Sequence, residues 1–499
     1  MKHLYIVSFF LLITLGAHSQ KDTAFMYTYG GVQNDGCAQI RPTTDKGYIL
    51  VGSTASYGIG GNNIFAVKID SLCKPQWSRV FDTRQIQVGY SVTQTSDKGY
   101  AFAGFTDNYT NGYDAYLVRT DSNGFVLWDK TYGGKNWDFA YSIKQTSDSG
   151  FVMCGQTYSY GSGNGNVYVI RTDKNGDTLW TKAIGGWGCD VGNDIEIRND
   201  SLYLIVGSTT SFGNADTNVY FIELNSNGVL LSSKTYGSKF TSVAKAITPT
   251  NDGGYMITGS IDSIYKGIAG ELLLKTDSAG NCQWMTQATN GKWNDRGQDI
   301  IEAPDTTYLS IGSSDGGGYG SSSVHIMRHN ATGFYLAGPS MGGNNAQFGS
   351  SLTIGANGNV LFAGSTSSYG QGGFDMYVIR LKNDSMAQNY AQVVTSYAAV
   401  PFFVSVPTEQ TYSPGIKAFP NPAKSYTNII VQGVGEENYW LDMVNELGEV
   451  VLPKTVFPHS YHGQSILHMN TSNLSSGIYI YSIYTTNRKV ATGKLVISQ

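Results

Sequence analysis

Short apolar runs alternate with polar positions from Ala24 to about residue 384, cut at intervals by clusters of Gly, Asp, Asn and Ser. In "NVYVIRT", Val167, Val169 and Arg171 fall on one face of an extended segment and Tyr168 and Ile170 on the other, the period-two signature of a strand. Set against itself at about 52 residues, the chain repeats one phrase: "GYILVGST", "GYAFAGFT", "GFVMCGQT", "LYLIVGST", "GYMITGSI", "TYLSIGSS" and "NVLFAGST". The sixth residue is always glycine: Gly52, Gly104, Gly155, Gly207, Gly259, Gly312 and Gly364, spaced 52, 51, 52, 52, 53 and 52 apart. Each unit divides into four strand-like segments, in the third "AYSIKQT", "GFVMCGQT", "NVYVIRTD" and "TLWTKAIGG".

Four strands per unit with no helical period describe the blades of a β-propeller, so residues 20–390 are expected to form a seven-bladed one. An open stack of solenoid coils fits less well, because such coils are usually shorter and lack four distinct strands. "AFMYTYGG" (Ala24 to Gly31) matches the fourth-strand phrase "VLWDKTYGG" and precedes the first full unit. It is expected to complete the seventh blade and close the ring, which removes exposed sheet edges.

The turns between first and second strands read "TTDKG", "TSDKG", "TSDSG" and "TNDGG"; those between third and fourth read "DSNG", "DKNG", "NSNG" and "DSAG". Asp and Asn tolerate left-handed backbone and Gly adopts it freely, so these are hairpin turns. In "RTDKNGDTLWTKAIGG", Asp173, Asn175 and Asp177 alternate as at the start of a calcium loop. Such a loop needs Gly sixth and a bidentate carboxylate twelfth. Here Gly176 is fourth and Ile184 twelfth, so a turn is expected and no metal site. "TDKNGDTLW" also resembles the tryptophan-bearing repeats of quinone-cofactor dehydrogenase propellers, through Trp77, Trp128, Trp180 and Trp284. Ser232 and Ala337 replace the Trp in two units and no cofactor-clamping cluster accompanies it. The Trp is therefore read as inter-blade packing, and no cofactor is expected. The third-strand cations Lys68, Arg119, Arg171, Lys275, Arg328 and Arg380, with Glu223 as the exception, read as solvated or inter-blade pairs.

Longer connections gather on the opposite face, where function usually sits. Trp137, Trp187, Trp293, Tyr160 and Tyr369 are candidate ligand-binding residues there, able to stack on sugar rings. Asp138, Asp190 and Asp295 share one repeat position with Asp35; they read as acceptors holding the loop, and as weak candidates for an acid and a base. No nucleophile–base set is visible. His325 and His329 fall on one strand face, without a third metal ligand to name.

Composition adds to this picture in three places. With 61 Gly, 34 Tyr and only 14% charged residues, the chain suits short strands and tight turns rather than helical bundles. A net charge of −4 gives no basic face for nucleic acid. Cys37, Cys73, Cys154, Cys189 and Cys282 lack CxxC spacing and read as small buried hydrophobes, not a disulfide framework. The start, "MKHLYIVSFFLLITLGAHSQ", reads as a signal peptide over residues 1–19, with no transmembrane segment expected. The propeller is expected to be monomeric.

The repeat ends near residue 384, and a Pro-containing linker (391–414) leads to alternating strands over 415–499, expected to be a small Ig-like β-sandwich. "FPNPA", "NELGEVV", "NTSNLSSGIYIYSI" and "GKLVI" occur there in order. This module resembles the type A sorting domain of the type IX secretion system (Por secretion). Matching positions are Pro420, Asn421, Pro422, Gly448, Leu474, Gly477, Tyr479 and Lys494. The propeller phrases resemble secreted bacterial β-propeller repeats of the same organisms. The resemblance implies a Bacteroidota-type source, the secretion machinery as partner, and a secreted or outer-membrane-surface address. A propeller fold leaves activity open. The leading expectation is a non-enzymatic binding protein, with glycan or a surface protein as ligand; a polysaccharide hydrolase or lyase and a structural or adhesive protein are the alternatives.

Overall fold

A computed structural model describes residues 25–381 and 415–498, apart from short segments at 59–60, 82–84, 108–111, 215, 238, 263–267, 289–293, 316–321, 339, 356–357, 420–421, 433–439, 446–448, 457–463 and 485–488. The signal-peptide and linker expectations fall outside these residues. The chain divides into two compact units, Met1–Ser405 and Val406–Gln499.

Every described element of the first unit is a strand or a turn. Among the described residues its strands form seven antiparallel sheets in sequence order. The third comprises Asp138–Gln145, Phe151–Thr157, Asn166–Thr172 and Thr178–Ile184, each strand paired to the next. The inner, first strand of each sheet packs on the preceding sheet, and that of the first sheet packs on the seventh. The seventh sheet takes its outer strand from the N-terminus: Phe25–Tyr29 pairs with Asp375–Leu381, Phe25 opposite Arg380 and Tyr29 opposite Met376. This propeller-like ring buries a separate apolar cluster at each junction. The junction of sheets five and six has the smallest, with Met256, Leu273, Ile300 and Tyr308 buried.

The recurring tryptophans pack between sheets. Trp77, Trp128 and Trp180 meet Tyr100, Phe151 and Tyr203 of the following sheet, with ring centroids 5.5, 6.1 and 6.2 Å apart. The third-to-fourth turn of the following sheet tucks beneath the indole. Gly176 (φ 79°) lies against Trp128, leaving no room for a side chain. Asp173 closes this turn by accepting from the Asn175 and Asp177 amides, both at 2.8 Å.

The third-strand cations depart in part from the sequence expectation: five pair with an Asp of their own sheet, while Arg171 also reaches the Tyr203 hydroxyl (3.0 Å) and Arg380 the Ser71 carbonyl (3.4 Å) of the neighbouring sheet. Lys68, Arg119, Arg171 and Lys275 are buried and pair within their own sheet with Asp45, Asp97, Asp148 and Asp252 of the first-to-second turn, at 2.8, 2.5, 2.5 and 2.8 Å. Each Asp also accepts from the Thr two residues before it and the Gly amide two residues after. A strand's period cannot reveal this, because a third strand borders its own hairpin and the adjacent sheet alike. For Asp252, burial works against ionisation, but hydrogen bonds from Lys275, Thr250 and the Gly254 amide outweigh it and hold the carboxyl at about 2. Cys37, Cys73 and Cys154 are buried as expected, whereas Cys189 is half-buried and Cys282 exposed; all five are free thiols.

The second unit has a three-stranded sheet (Gly415–Phe419, Tyr426–Gln432, Gln464–Asn470) and a four-stranded one (Val450–Val456, Trp440–Val444, Gly477–Tyr484, Lys489–Ile497). Ile429, Leu441, Tyr479, Tyr481, Ile483 and Leu495 lie in its core.

Candidate functional site

The repeat glycines mark a backbone device. In every sheet the inner strand loses register against the second strand: between Cys37 and Gln39, Gly89 and Ser91, Ala140 and Ser142, Gly192 and Asp194, Ala244 and Ala246, Gly297 and Asp299, and Gly349 and Ser351. The skipped residue is a β-bulge, which re-aims a side chain. The inner-strand carbonyl two residues before each bulge lies over the repeat glycine, where a Cβ would overlap its oxygen: Gly36 over Gly52, Phe139 over Gly155, and likewise at the other five. Gly155→Ala is expected to cost about 1–3 kcal/mol by forcing the two strands apart; an unchanged unfolding midpoint would contradict the bulge assignment.

The seven bulged residues, Ala38, Tyr90, Tyr141, Asn193, Lys245, Gln298 and Ser350, all line one central cavity of about 510 Å³. They occupy one repeat position yet differ in chemistry around the ring. In ring order there is an aromatic arc (Tyr90, Tyr141), a polar arc (Asn193, Lys245, Gln298) and a small arc (Ser350, Ala38). Sequence reasoning missed them. The available signal was a slip in alternation, since in six of the seven sheets the two inner-strand residues after the bulge, such as Ser142 and Ile143, are both buried.

Beneath the ring a polar belt joins neighbouring inner strands. Gln39 accepts from the Ser91 hydroxyl and the Val92 amide (3.0 and 2.8 Å). Asp194 accepts from the Ser142 hydroxyl and the Ile247 amide (2.7 and 3.0 Å). Asp299 accepts from the Ser351 hydroxyl and the Leu352 amide (2.7 and 3.1 Å), and Arg41 lies 3.4 Å from it. Burial, with Glu196 adding to it, lifts the Asp194 carboxyl above its usual range despite nearby Lys144. Lys245 takes part in no ion pair or hydrogen bond among the described residues, and burial lowers its ammonium pKa.

The aromatic arc continues outward. Tyr141 meets Tyr90 edge-on (5.2 Å) and stacks on Phe139 (5.8 Å, 10°). Phe139 meets Phe105 (5.3 Å), Phe105 meets Tyr113 (4.8 Å), and Tyr113 meets Trp137 (5.6 Å). Trp137, 52% exposed, thus ends an aromatic wall that leads to the channel. The other predicted aromatics are not brought together with it. Trp187 is 83% exposed and shares no ring contact among the described residues; Trp293 lies outside them. Tyr160 and Tyr369 donate to the carbonyls of Gly133 (2.6 Å) and Gly342 (3.3 Å), as Tyr57 does to Gly30 (2.9 Å), and so tie down loops.

Asp138, Asp190 and Asp295 are fully buried, in sheets three, four and six. Asp190 accepts from the Gly186 amide (2.9 Å), the Ser211 hydroxyl (2.7 Å) and the Thr209 hydroxyl. Asp138 accepts from the Gly134 amide (2.8 Å) and the Ser159 hydroxyl (2.6 Å). Asp295 lies 3.3 Å from His325 Nδ1. His329 is also buried, which pulls its imidazole down to about 4. No group of three or more metal-ligating side chains occurs among the described residues.

Residues 417–498 match the family model of the secretion system C-terminal sorting domain. The tail is a sorting domain. Within it Tyr479 is in the core and donates to the Ser475 carbonyl (2.9 Å), and Leu474 packs on that core. Gly477 opens a strand, while Pro422 and Lys494 are exposed; Pro420, Asn421 and Gly448 lie outside the described residues. The sorting domain implies export to the cell surface or secretion. No helix among the described residues is long and apolar enough to cross a membrane.

Solved structures similar to the chain include PorZ, a bacterial surface component of the type-IX secretion system of Porphyromonas gingivalis (10% identity, 94% of this chain and 74% of that one, TM-score 0.38). Others are the Pan2 WD40 domain of Neurospora crassa (9%, 73% and 96%, 0.43) and Sqt1 of Chaetomium thermophilum (11%, 69% and 82%, 0.41). No curated protein matches the chain.

Proposed function

We propose that the protein is a seven-bladed β-propeller, exported through the type IX route by an Ig-like sorting sandwich, that binds a saccharide in its central channel without turning it over. One observation carries this reading: a scaffold that repeats closely elsewhere presents six residue types across its seven sheets at the one position facing the cavity. Two adjacent tyrosines offer the flat apolar faces on which a pyranose stacks, and the Gln298 amide elsewhere in the ring suits one of its hydroxyls. A hydrolase or lyase reading has less support, because an acid and base must reach the scissile bond. Asp138, Asp190 and Asp295 are fully buried, and the first two hold loops. Tyr141→Ala is expected to weaken saccharide binding about tenfold, one stacking contact's worth, with the melting temperature little changed. A glycan array followed by calorimetry tests this. Saccharide affinity that survives loss of both Tyr90 and Tyr141 would place the site elsewhere.

A further inference from the structure

The charges around the cavity narrow the ligand. Four charged residues line it: Arg41, Asp194, Lys245 and Asp299. Arg41 and Asp299 lie 3.4 Å apart and offset each other. Both Asp194 oxygens are turned into the polar belt, where Ser142 and the Ile195 and Ile247 amides donate to them. That leaves Lys245, fifth in the bulge ring, projecting from its own sheet with no ion pair or hydrogen bond among the described residues. On one side of it in the ring, Asn193 spends its amide on the Ala244 carbonyl (2.7 Å). On the other, Gln298 makes no hydrogen bond among the described residues. Lys245 is solvent-exposed within the cavity, so its ammonium is open to an anionic group of a ligand, and the surrounding protein lowers its pKa. The small arc, Ser350 and Ala38, lies beyond Gln298 in the ring and takes up little of the cavity.

Resting on the saccharide reading above, we infer that the ligand is an anionic saccharide whose acidic group is seated on the Lys245 ammonium while its ring lies against Tyr90 and Tyr141. Carboxylate and sulfate ester share the needed chemistry, a single anionic oxygen cluster facing one point charge. Gln298 is placed to meet a neighbouring hydroxyl.

Calorimetry on the full-length protein with three oligosaccharides of equal length tests the idea: a neutral hexose oligomer, a hexuronate oligomer and a sulfated oligomer. One or both acidic oligomers are expected to bind at least about tenfold tighter than the neutral one, the factor expected of one charge-assisted hydrogen bond. That preference should vanish in Lys245→Gln, survive in Lys245→Arg, and weaken as salt is raised. Whichever acidic oligomer shows it identifies the group as carboxylate or sulfate. Equal binding of neutral and acidic oligomers, unmoved by Lys245→Gln, overturns the anionic assignment and leaves the saccharide reading standing. Failure of all three to bind a protein with an intact melting transition overturns both. Because Lys245 holds no partner, Lys245→Gln should melt with the parent chain, which separates loss of binding from loss of fold.

Discussion

Deleting Phe25–Tyr29 is expected to leave a protein that does not close and that self-associates. The five residues supply the seventh sheet's outer strand, and without them the edge of Asp375–Leu381, wholly buried in the intact chain, faces solvent. An unpaired, apolar edge invites pairing with another copy. Tyr29 adds side-chain packing to the backbone pairing. It is completely buried between the first and seventh sheets and donates its hydroxyl to the Cys73 carbonyl at 2.7 Å. Tyr29→Ala alone should cost about 3–5 kcal/mol, the range for emptying a large aromatic site. Tyr29→Phe should cost about 1 kcal/mol, one hydrogen bond. Size-exclusion chromatography and urea unfolding read both effects. A deletion variant that stays monomeric with an unshifted midpoint would refute closure through this strand.

Glu271→Gln is expected to stabilise the propeller progressively as pH rises above 4.5, with the full effect above about 7. Glu271 stands where the other sheets carry Ile64, Ala115, Val167, Val219, Val324 and Met376. Around it Thr258, Ser310 and His325 also replace residues that are apolar or aromatic in nearly every other sheet. These changes fall at the junction with the smallest apolar cluster, where Ala246 also stands in place of a polar belt residue. Glu271 is 1% exposed and accepts from the Thr258 hydroxyl at 2.8 Å. Burial lifts its carboxyl from 4.5 to about 7, outweighing the hydrogen bonds and His325 that oppose the rise. Below pH 4.5 the folded and unfolded chains both hold the proton, so the group costs nothing. As pH climbs from 4.5 toward 7 the unfolded chain ionises first, and stability falls. Above that window the full penalty applies, on the order of 3 kcal/mol, and the neutral amide escapes it. Urea midpoints above pH 7 should therefore rise in Glu271→Gln and match the parent below pH 4.5. A difference independent of pH would show that ionisation is not the cause.

The repeat and its closure were legible because they rest on local signals: a glycine at near-constant spacing, turn residues between strands, an unpaired strand phrase at the start. The channel was not, because a bulge is a property of pairing and leaves the composition of a strand unchanged. Seen in isolation, "DFAYSIKQ" offers Tyr141 as one more strand aromatic. Only its register against Phe151–Thr157 shows that Ala140 and Ser142 both keep ladder partners while Tyr141 is set free toward the cavity. The loop tyrosines carry a second role that the sequence did not show. Tyr160 has the exposure and neighbours of a ligand-stacking ring, yet its hydroxyl is committed to a carbonyl 27 residues away in the chain. The aspartates were more legible: Asp138 and Asp190, like Asp35, accept a loop amide as the repeat position suggested.

The bulges also bear on how such proteins diversify. A bulged residue stands outside the ladder, and the hydrogen bonds and core contacts of its sheet are met by others. Mutation at those seven codons therefore redraws the cavity lining while the strand ladders stay intact. Specificity in chains built on this frame can drift quickly under a nearly constant architecture. In the laboratory, a library randomised at Ala38, Tyr90, Tyr141, Asn193, Lys245, Gln298 and Ser350 would explore ligands rather than folds.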